Sequence, residues 1–342
     1  MLQNKQNKES MKVMEVNGGG LDKLRLVDRE TPHPKAGEVS VRWHATSLNY
    51  HDYLVACGGI PVSKDRIPMS DGAGEIIALG EGVTNWNIGD KVMSLFFPGW
   101  IDGPATYQKM KAVSGESVDG YITEQSSLSA KSITKIPESY SFAEAATLPC
   151  AAVTAWRALV TEGQMKAGDT VLIEGTGGMS IAALQLAKAK GATIIATTSS
   201  PEKAERLKAM GASEVINYKE DIKWGKTIFK MTGGGVDHVL DVGGGSTMVQ
   251  SIEAARIGGS IISIGILGDR KGEITFPKLF FKQLTLKGIA VDSKASQEAM
   301  IKFINQSDFR PIIHRSFAFD QLADAFRYQE TGKHFGKIVV EW

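Results

Sequence analysis

The chain has 342 residues, 42% of them apolar and 23% charged, and its 39 basic and 38 acidic side chains leave a net charge of +1. That length exceeds what one hydrophobic core serves and predicts two domains. The near-neutral, interleaved charge, as in Glu202-Lys203-Ala-Glu205-Arg206, argues against nucleic acid or a membrane surface as a partner.

Taken from the start, Met1–Lys8 is polar and lacks the apolar core of a signal peptide. No run of about 18 apolar residues follows anywhere. Two cysteines, Cys57 and Cys150, are too few for a disulfide framework and fit a reducing compartment. A cytoplasmic protein is expected. From Met11 to about Lys135, the turn signals Asn17–Gly20, Pro32–Pro34, Gly58-Gly59 and Gly80–Gly82 separate short β-forming runs such as Glu38–Trp43 and Gly74–Ala78. This predicts a β-rich domain with irregular loops. Phe96 to Gly120 reads as a long loop, either functional or a disordered insertion. Its Phe97 and Trp100 are either an apolar substrate wall or loop anchors.

After about Ser141 the pattern changes. The apolar runs Val171–Glu174, Thr193–Ala196, Glu214–Asn217, His238–Asp241, Ser260–Ser263 and Leu286–Ala290 alternate with helical segments. Such alternation predicts βαβ units and a doubly wound parallel sheet. Ile181–Ala187 reads as a buried helix closed by Gly191, and Ser200-Pro201 as an N-cap with proline at the first helical position. Gln297–Asn305 and Phe319–Thr331 read as helices, and Lys337–Glu341 as a last strand that rejoins the first domain. The expected division is therefore 1–140 with 295–342 around an inserted 141–294.

Gly175, Gly177, Gly178, Met179 and Ser180 form a glycine turn between a strand and a helix. Gly175 permits the tight bend, and Gly177 lets the backbone approach a pyrophosphate at the helix N-terminus. Ser180 stands where a third glycine usually packs helix against strand. The alternative is a ligand-free turn. An NAD site carries an acid roughly 20 residues further on, for the ribose 2′-hydroxyl. Here the second strand ends Ala196-Thr-Thr-Ser199-Ser200, followed by Lys203. That favours a 2′-phosphate, hence NADP, with NAD still possible. Otherwise Ser200 simply caps the helix and Lys203 faces solvent.

With Ser47–Asp52, Asp71–Gly74, Ala146–Trp156 and His334–Lys337 in this order, the chain resembles the medium-chain dehydrogenase/reductase superfamily from about Met11 onward. Within it the chain is most similar to the zinc-free, quinone-oxidoreductase-like branch and the alcohol dehydrogenase-like proteins. The resemblance implies an α/β protein with a β-rich GroES-like catalytic domain, a Rossmann domain and a homodimer paired along Leu286–Val291. It also implies Thr154, the glycine turn, Ser199, Lys203, Tyr218, Gly243, Gly265, Ile266, His334 and Lys337 along the cofactor, although several could be ordinary turn residues.

Zinc alcohol dehydrogenases hold a metal with cysteine, a His-Glu pair and a second cysteine or acid. Asn49 stands at the first position and Ser70-Asp71 at the second, so only Cys150 keeps a ligand type. One thiol does not hold Zn²⁺, and no zinc is expected. Charge developing on a substrate then falls to hydrogen-bond donors. Asn49 is either that donor, to a carbonyl or the nicotinamide ribose, or a loop asparagine bonding its own backbone. His51 is either a proton relay or a histidine without catalytic duty. Asp52 either orients it or caps a helix, and Tyr53 either gives a proton or packs. The reading is an NADPH-dependent reductase of small activated carbonyl compounds, enones or quinones. The alternatives are a metal-free alcohol or aldehyde oxidoreductase, or a non-enzymatic cofactor-binding protein.

Overall fold

The computed structural model describes residues 9–342; the polar start Met1–Lys8 read above lies outside them. They divide into two compact units, one of residues up to Cys150 with Asp292–Asn305 and Ile313–Trp342, the other of Ala151–Val291 with Gln306–Ile312.

The first unit opens with an antiparallel ribbon of β1 (Ser10–Glu15) and β2 (Arg25–Glu30). Its trunk is β3 (Glu38–Ser47), followed by α1 (Tyr50–Cys57), β4 (Ala73–Leu79), β5 (Lys91–Ser94), the short α2 (Tyr107–Met110), β6 (Gln125–Ser129), β7 (Ile133–Lys135) and α3 (Phe142–Ala146). Alternate residues of β3, Val39, Val41, Trp43 and Ala45, are wholly buried, as one face of a pleated strand requires. Val39, Val41 and Trp43 pack with Ile76, Val92 and Ile133 into a core. The long loop is ordered through Phe97 and Trp100, 4% and 2% exposed, whose rings sit 6.0 Å apart. The Trp100 indole N–H donates to Gly103 O at 2.9 Å. Both residues are anchors of the loop, not an open wall.

The second unit contains α4 (Val153–Trp156), then β8 (Thr170–Glu174), α5 (Gly178–Ala189), β9 (Thr193–Thr198), α6 (Pro201–Met210), β10 (Glu214–Asn217), α7 (Trp224–Met231), β11 (Val236–Asp241), α8 (Met248–Ala254), β12 (Ala255–Ser263), α9 (Phe276–Phe281) and β13 (Thr285–Gly288). The six strands lie parallel in the order β10-β9-β8-β11-β12-β13. This is the doubly wound arrangement, and its order reverses between β8 and β11, the position where such sheets take ligands at their carboxyl ends. β12 starts earlier than its apolar run because Gly258 (φ 73°) and Gly259 interrupt the alternation inside it.

The chain then returns to the first unit through α10 (Lys294–Ile304), β14 (Ile313–Ala318), α11 (Leu322–Glu330) and β15 (Lys337–Glu341). α10 begins before Gln297 because the Ser293 hydroxyl accepts from Ser296 N–H at its N-cap. β15 completes a sheet of order β14-β15-β3-β4-β5-β7, with β6 also on β3. No helix among the described residues is long and apolar enough to cross a membrane.

Candidate active site and cofactor site

In the second unit, Val171, Leu172 and Ile173 of β8 are fully buried and the strand ends at Glu174. Gly175 follows at φ 72°, a conformation that side chains rarely adopt. Gly177 then caps α5 in extended backbone. A Cβ on either glycine would meet nothing within 4 Å, so open space faces the bare turn. The amides of Gly178, Met179 and Ser180 begin the helix, where N–H groups lack intrahelical acceptors and the dipole favours an anion. This is a cradle fit for a pyrophosphate. The Ser180 hydroxyl donates to Glu174 O at 2.7 Å, so a serine packs helix against strand where glycine is usual.

The neighbouring loops are close-packed. A Cβ on Gly243 would lie 2.4 Å from the Thr247 side chain, and one on Gly265 2.7 Å from Val242 O. Ile266 beside them is exposed. At the end of β9, Ser199 is half-buried, and the Ser200 hydroxyl accepts from Lys203 N–H at 3.3 Å as a helix cap. Burial, and then the Arg206 guanidinium, hold the Lys203 ammonium below the usual lysine range, with Glu202 opposing them. Tyr218 is exposed, its N–H donating to Thr198 O at 3.3 Å, while Thr154 is buried.

In the first unit the sheet register builds a polar centre. β3 pairs with β4 through Ala45 and Ala73, which brings Ser47 level with Asp71. On its other side β3 pairs with β15 through Ser47 and Val339, and continuing that register brings Lys337 level with Asn49. The Ser47 hydroxyl and the Asn49 amide each donate to Asp71 Oδ2 at 2.8 Å. The second Asn49 hydrogen goes to Ser70 Oγ at 3.2 Å. Lys337 Nζ donates to Asn49 Oδ1 at 2.6 Å and to Leu48 O at 2.8 Å, and lies 3.5 Å from Asp71 Oδ2. Both amide hydrogens of Asn49 are thus spent inside the centre. Asn49 thereby ties Ser70, Asp71 and Lys337 into one network.

Asp52 is buried and accepts from the N–H groups of Asn49 at 3.0 Å and Ser70 at 2.8 Å, so it caps α1 and ties in the Ser70 loop. His51 is partly exposed: Nε2 lies 2.7 Å from Glu116 Oε2, and Nδ1 3.6 Å from Asp52 Oδ1. Burial opposes a charge on the ring, but the Asp52 and Glu116 carboxylates outweigh it and raise His51 to about 8. At neutral pH it is an imidazolium. Burial, tempered by Lys337, raises Asp71 to about 6. Its Oδ1 has no hydrogen-bond partner. The Tyr53 phenol donates to Glu330 at 2.6 Å, which pushes it up and leaves it a poor acid at neutral pH. His334 is half-buried, just before β15.

Glu116 was not among the residues singled out from sequence, because it lies in the long loop with no motif around it. Glu174 was a readable signal: an acid ending an otherwise apolar, buried strand. The Lys337 ammonium lies against Asn49, Leu48 and Asp71, and burial, and then Asp71, push the Cys150 thiol well up. Among the described residues, no three His, Cys, Asp or Glu side chains gather as a ligand set.

Known proteins agree with this architecture. The model of the alcohol dehydrogenase GroES-like domain matches residues 35–138, and that of the zinc-binding dehydrogenase domain matches residues 178–306. A zinc-type alcohol dehydrogenase-like protein of Schizosaccharomyces pombe is 39% identical over 94% of this chain and 96% of its own length. A putative alcohol dehydrogenase of Sinorhizobium meliloti superposes with a TM-score of 0.92 at 34% identity, over 98% of this chain and 99% of that one. A 2-octenoyl-CoA carboxylase reductase, solved with NADP and 2-octenoyl-CoA, does so with a TM-score of 0.88 at 25% identity, over 97% and 87%. The chain belongs to the medium-chain dehydrogenase/reductase superfamily, and it is an oxidoreductase.

Proposed function

We propose that the protein is an NADPH-dependent, zinc-independent reductase of small activated carbonyl compounds, enones or quinones. The observation that carries it is the pair of neighbouring cations Lys203 and Arg206 on the first turns of α6, after a β9 end without an acid. A 2′-phosphate relieves their repulsion, whereas a 2′-hydroxyl does not. The likeness to a reductase solved with NADP and an enoyl thioester supports both cofactor and substrate class. The Lys337 ammonium supports the zinc-free part, since it supplies a positive charge at the polar centre without a metal.

In this reading the second unit holds the cofactor and the first acts on the substrate. A bound nicotinamide supplies a hydride to an electron-poor carbon. The developing negative charge then needs a proton, and His51 with Glu116 is the partly exposed pair of the centre that carries one at neutral pH. Asn49, Asp52, Asp71 and Lys337 hold that pair's surroundings fixed. Cys57 and Cys150, neither of them in a disulfide, fit a cytoplasmic protein. A homodimer is supported by the outer edge of β13 together with exposed Phe276, Phe280 and Phe281, and a solution mass of one chain would remove it.

The test is a fluorescence titration with NADPH and NADH, with Lys203→Ala alongside. NADPH binding is expected to weaken roughly tenfold in the variant, about the loss of one charged hydrogen bond, while NADH changes little. Equal affinity for both cofactors sinks the NADP reading. Turnover of an enone by exhaustively chelated protein should give the saturated ketone; an allylic alcohol would favour the carbonyl-reducing alternative.

A further inference from the structure

The point where the parallel sheet reverses carries an acid pair. Glu174 ends β8 and Asp241 ends β11, 3% and 0% exposed. Glu174 Oε2 accepts from the N–H groups of Val242 at 3.2 Å and Gly243 at 3.4 Å. Asp241 Oδ1 accepts from Gly244 N–H at 2.8 Å and from the Thr247 hydroxyl at 2.9 Å. The two remaining oxygens, Glu174 Oε1 and Asp241 Oδ2, both face Ser251 Oγ of α8, at 2.9 and 2.6 Å.

A hydroxyl has one proton to donate. With both acids ionised, the Ser251 hydroxyl could donate to only one of them, and two anions would share a buried site whose other contacts are the Thr247 hydroxyl and backbone N–H groups. One further proton closes the chain: Glu174 Oε1–H donates to Ser251 Oγ, and the Ser251 hydroxyl donates to Asp241 Oδ2. The proton is placed on Glu174 because Gly244, Thr247 and Ser251 all donate to Asp241.

We propose that Glu174 is a positioning residue that works as the protonated acid, tying the Gly175 turn to the Gly243-Gly244 loop and so fixing the phosphate-binding backbone. This rests on the turn being the dinucleotide site. Losing the proton sets two carboxylates against one hydroxyl and drives the loops apart. Burial first, and then Asp241, raise Glu174 to about 8. The other groups facing it are the Ser251 hydroxyl and the Val242 and Gly243 amides. Pyrophosphate binding at Gly175–Ser180 adds negative charge beside the pair and strengthens its hold on the proton, so cofactor binding takes up a proton.

The experiment is calorimetric titration of NADPH at pH 8 in buffers of different ionisation enthalpy, with thermal melting of the cofactor-free protein from pH 6 to 9. Glu174→Gln mimics the protonated acid, since its amide donates to Ser251 and its carbonyl accepts from Val242 and Gly243. Wild type is expected to take up a fraction of a proton per NADPH, with Kd rising by up to about tenfold per pH unit above pH 8. Glu174→Gln should keep the pH 7 affinity within about twofold, lose the uptake and melt with a flatter pH dependence. Glu174→Ala should weaken binding at every pH. Equal proton uptake in wild type and Glu174→Gln overturns the proposal, as does Glu174→Gln binding no better than Glu174→Ala. If wild type binds neither NADPH nor NADH, the cofactor reading fails, and the melting comparison still decides whether Glu174 holds the proton.

Discussion

Each unit buries a carboxylate almost completely, and the two live in different electrical surroundings. Asp71 accepts from Ser47 and Asn49 with the Lys337 ammonium 3.5 Å away, and burial lifts it only to about 6. Glu174 has Asp241 for a neighbour, and burial lifts it to about 8. At pH 7 the first is mainly an anion and the second mainly a neutral donor. Burial sets the direction in both; the partner sets the size, and with it whether the group is a charge or a hydrogen-bond donor. The difference suits the proposed division of work. A centre that must meet developing charge keeps an ion pair, whereas a turn that must accept a pyrophosphate avoids a second negative charge beneath it.

The largest effect expected comes from making the first centre resemble the second. Lys337→Met leaves Asp71 without its cation and strips a donor from both Asn49 Oδ1 and Leu48 O. Removing one partner of a buried pair costs about 3–5 kcal/mol, because the other charge stays behind. Urea unfolding followed at several pH values should show that loss. It should also show stability falling as pH rises over a wider window than in wild type. Asp71 would then be a carboxylate raised further above its unfolded value, so the native state would hold its proton longer. A loss below about 1 kcal/mol, within the range of an exposed pair, would mean the ammonium adds nothing net and the contrast between the two acids has another source.

The same contrast explains how far the sequence could be read. The parallel sheet was legible because its inner strands carry short buried apolar runs, Val171–Ile173, Ile194–Ala196, Val239-Leu240 and Ile261-Ile262, and the glycine turn because it falls between one of them and a helix. Asn49, His51 and Asp52 were found in one short segment. The pairing of Asn49 with Lys337 and of His51 with Glu116 was not legible, since Lys337 is 288 residues from Asn49 and Glu116 is 65 from His51 in sequence. Only the pairing of β15 and β4 on either side of β3 brings Lys337, Asn49 and Asp71 together. Without those partners an asparagine reads as a free donor, while in the fold both its hydrogens are committed. Glu174 is an acid ending an apolar buried strand, a signal the sequence offers, but its partner Asp241 follows only from the adjacency of β8 and β11.

A smaller effect separates the two units by pH. His51 rises to about 8 because Asp52 and Glu116 outweigh its burial. A histidine raised above its unfolded value adds stability that is full below about pH 6.5 and lost as pH climbs through about 8. His51→Gln should therefore remove about 1–2 kcal/mol at pH 6 and almost nothing at pH 9. Glu174→Gln flattens a decline that starts lower, from the ordinary glutamate range, so melting curves of the two variants across pH 5 to 9 distinguish the windows. Kinetics distinguish them again. If His51 supplies the proton, kcat for enone reduction falls above about pH 8 in wild type, and in His51→Gln it is about 10²–10⁴-fold lower and flat, the scale of losing one general acid. Glu174 should act on cofactor Kd and leave the kcat profile in place. A kcat profile that moves with Glu174, or a Kd profile that moves with His51, would mean the two carboxylate centres are coupled and the division drawn between them does not hold.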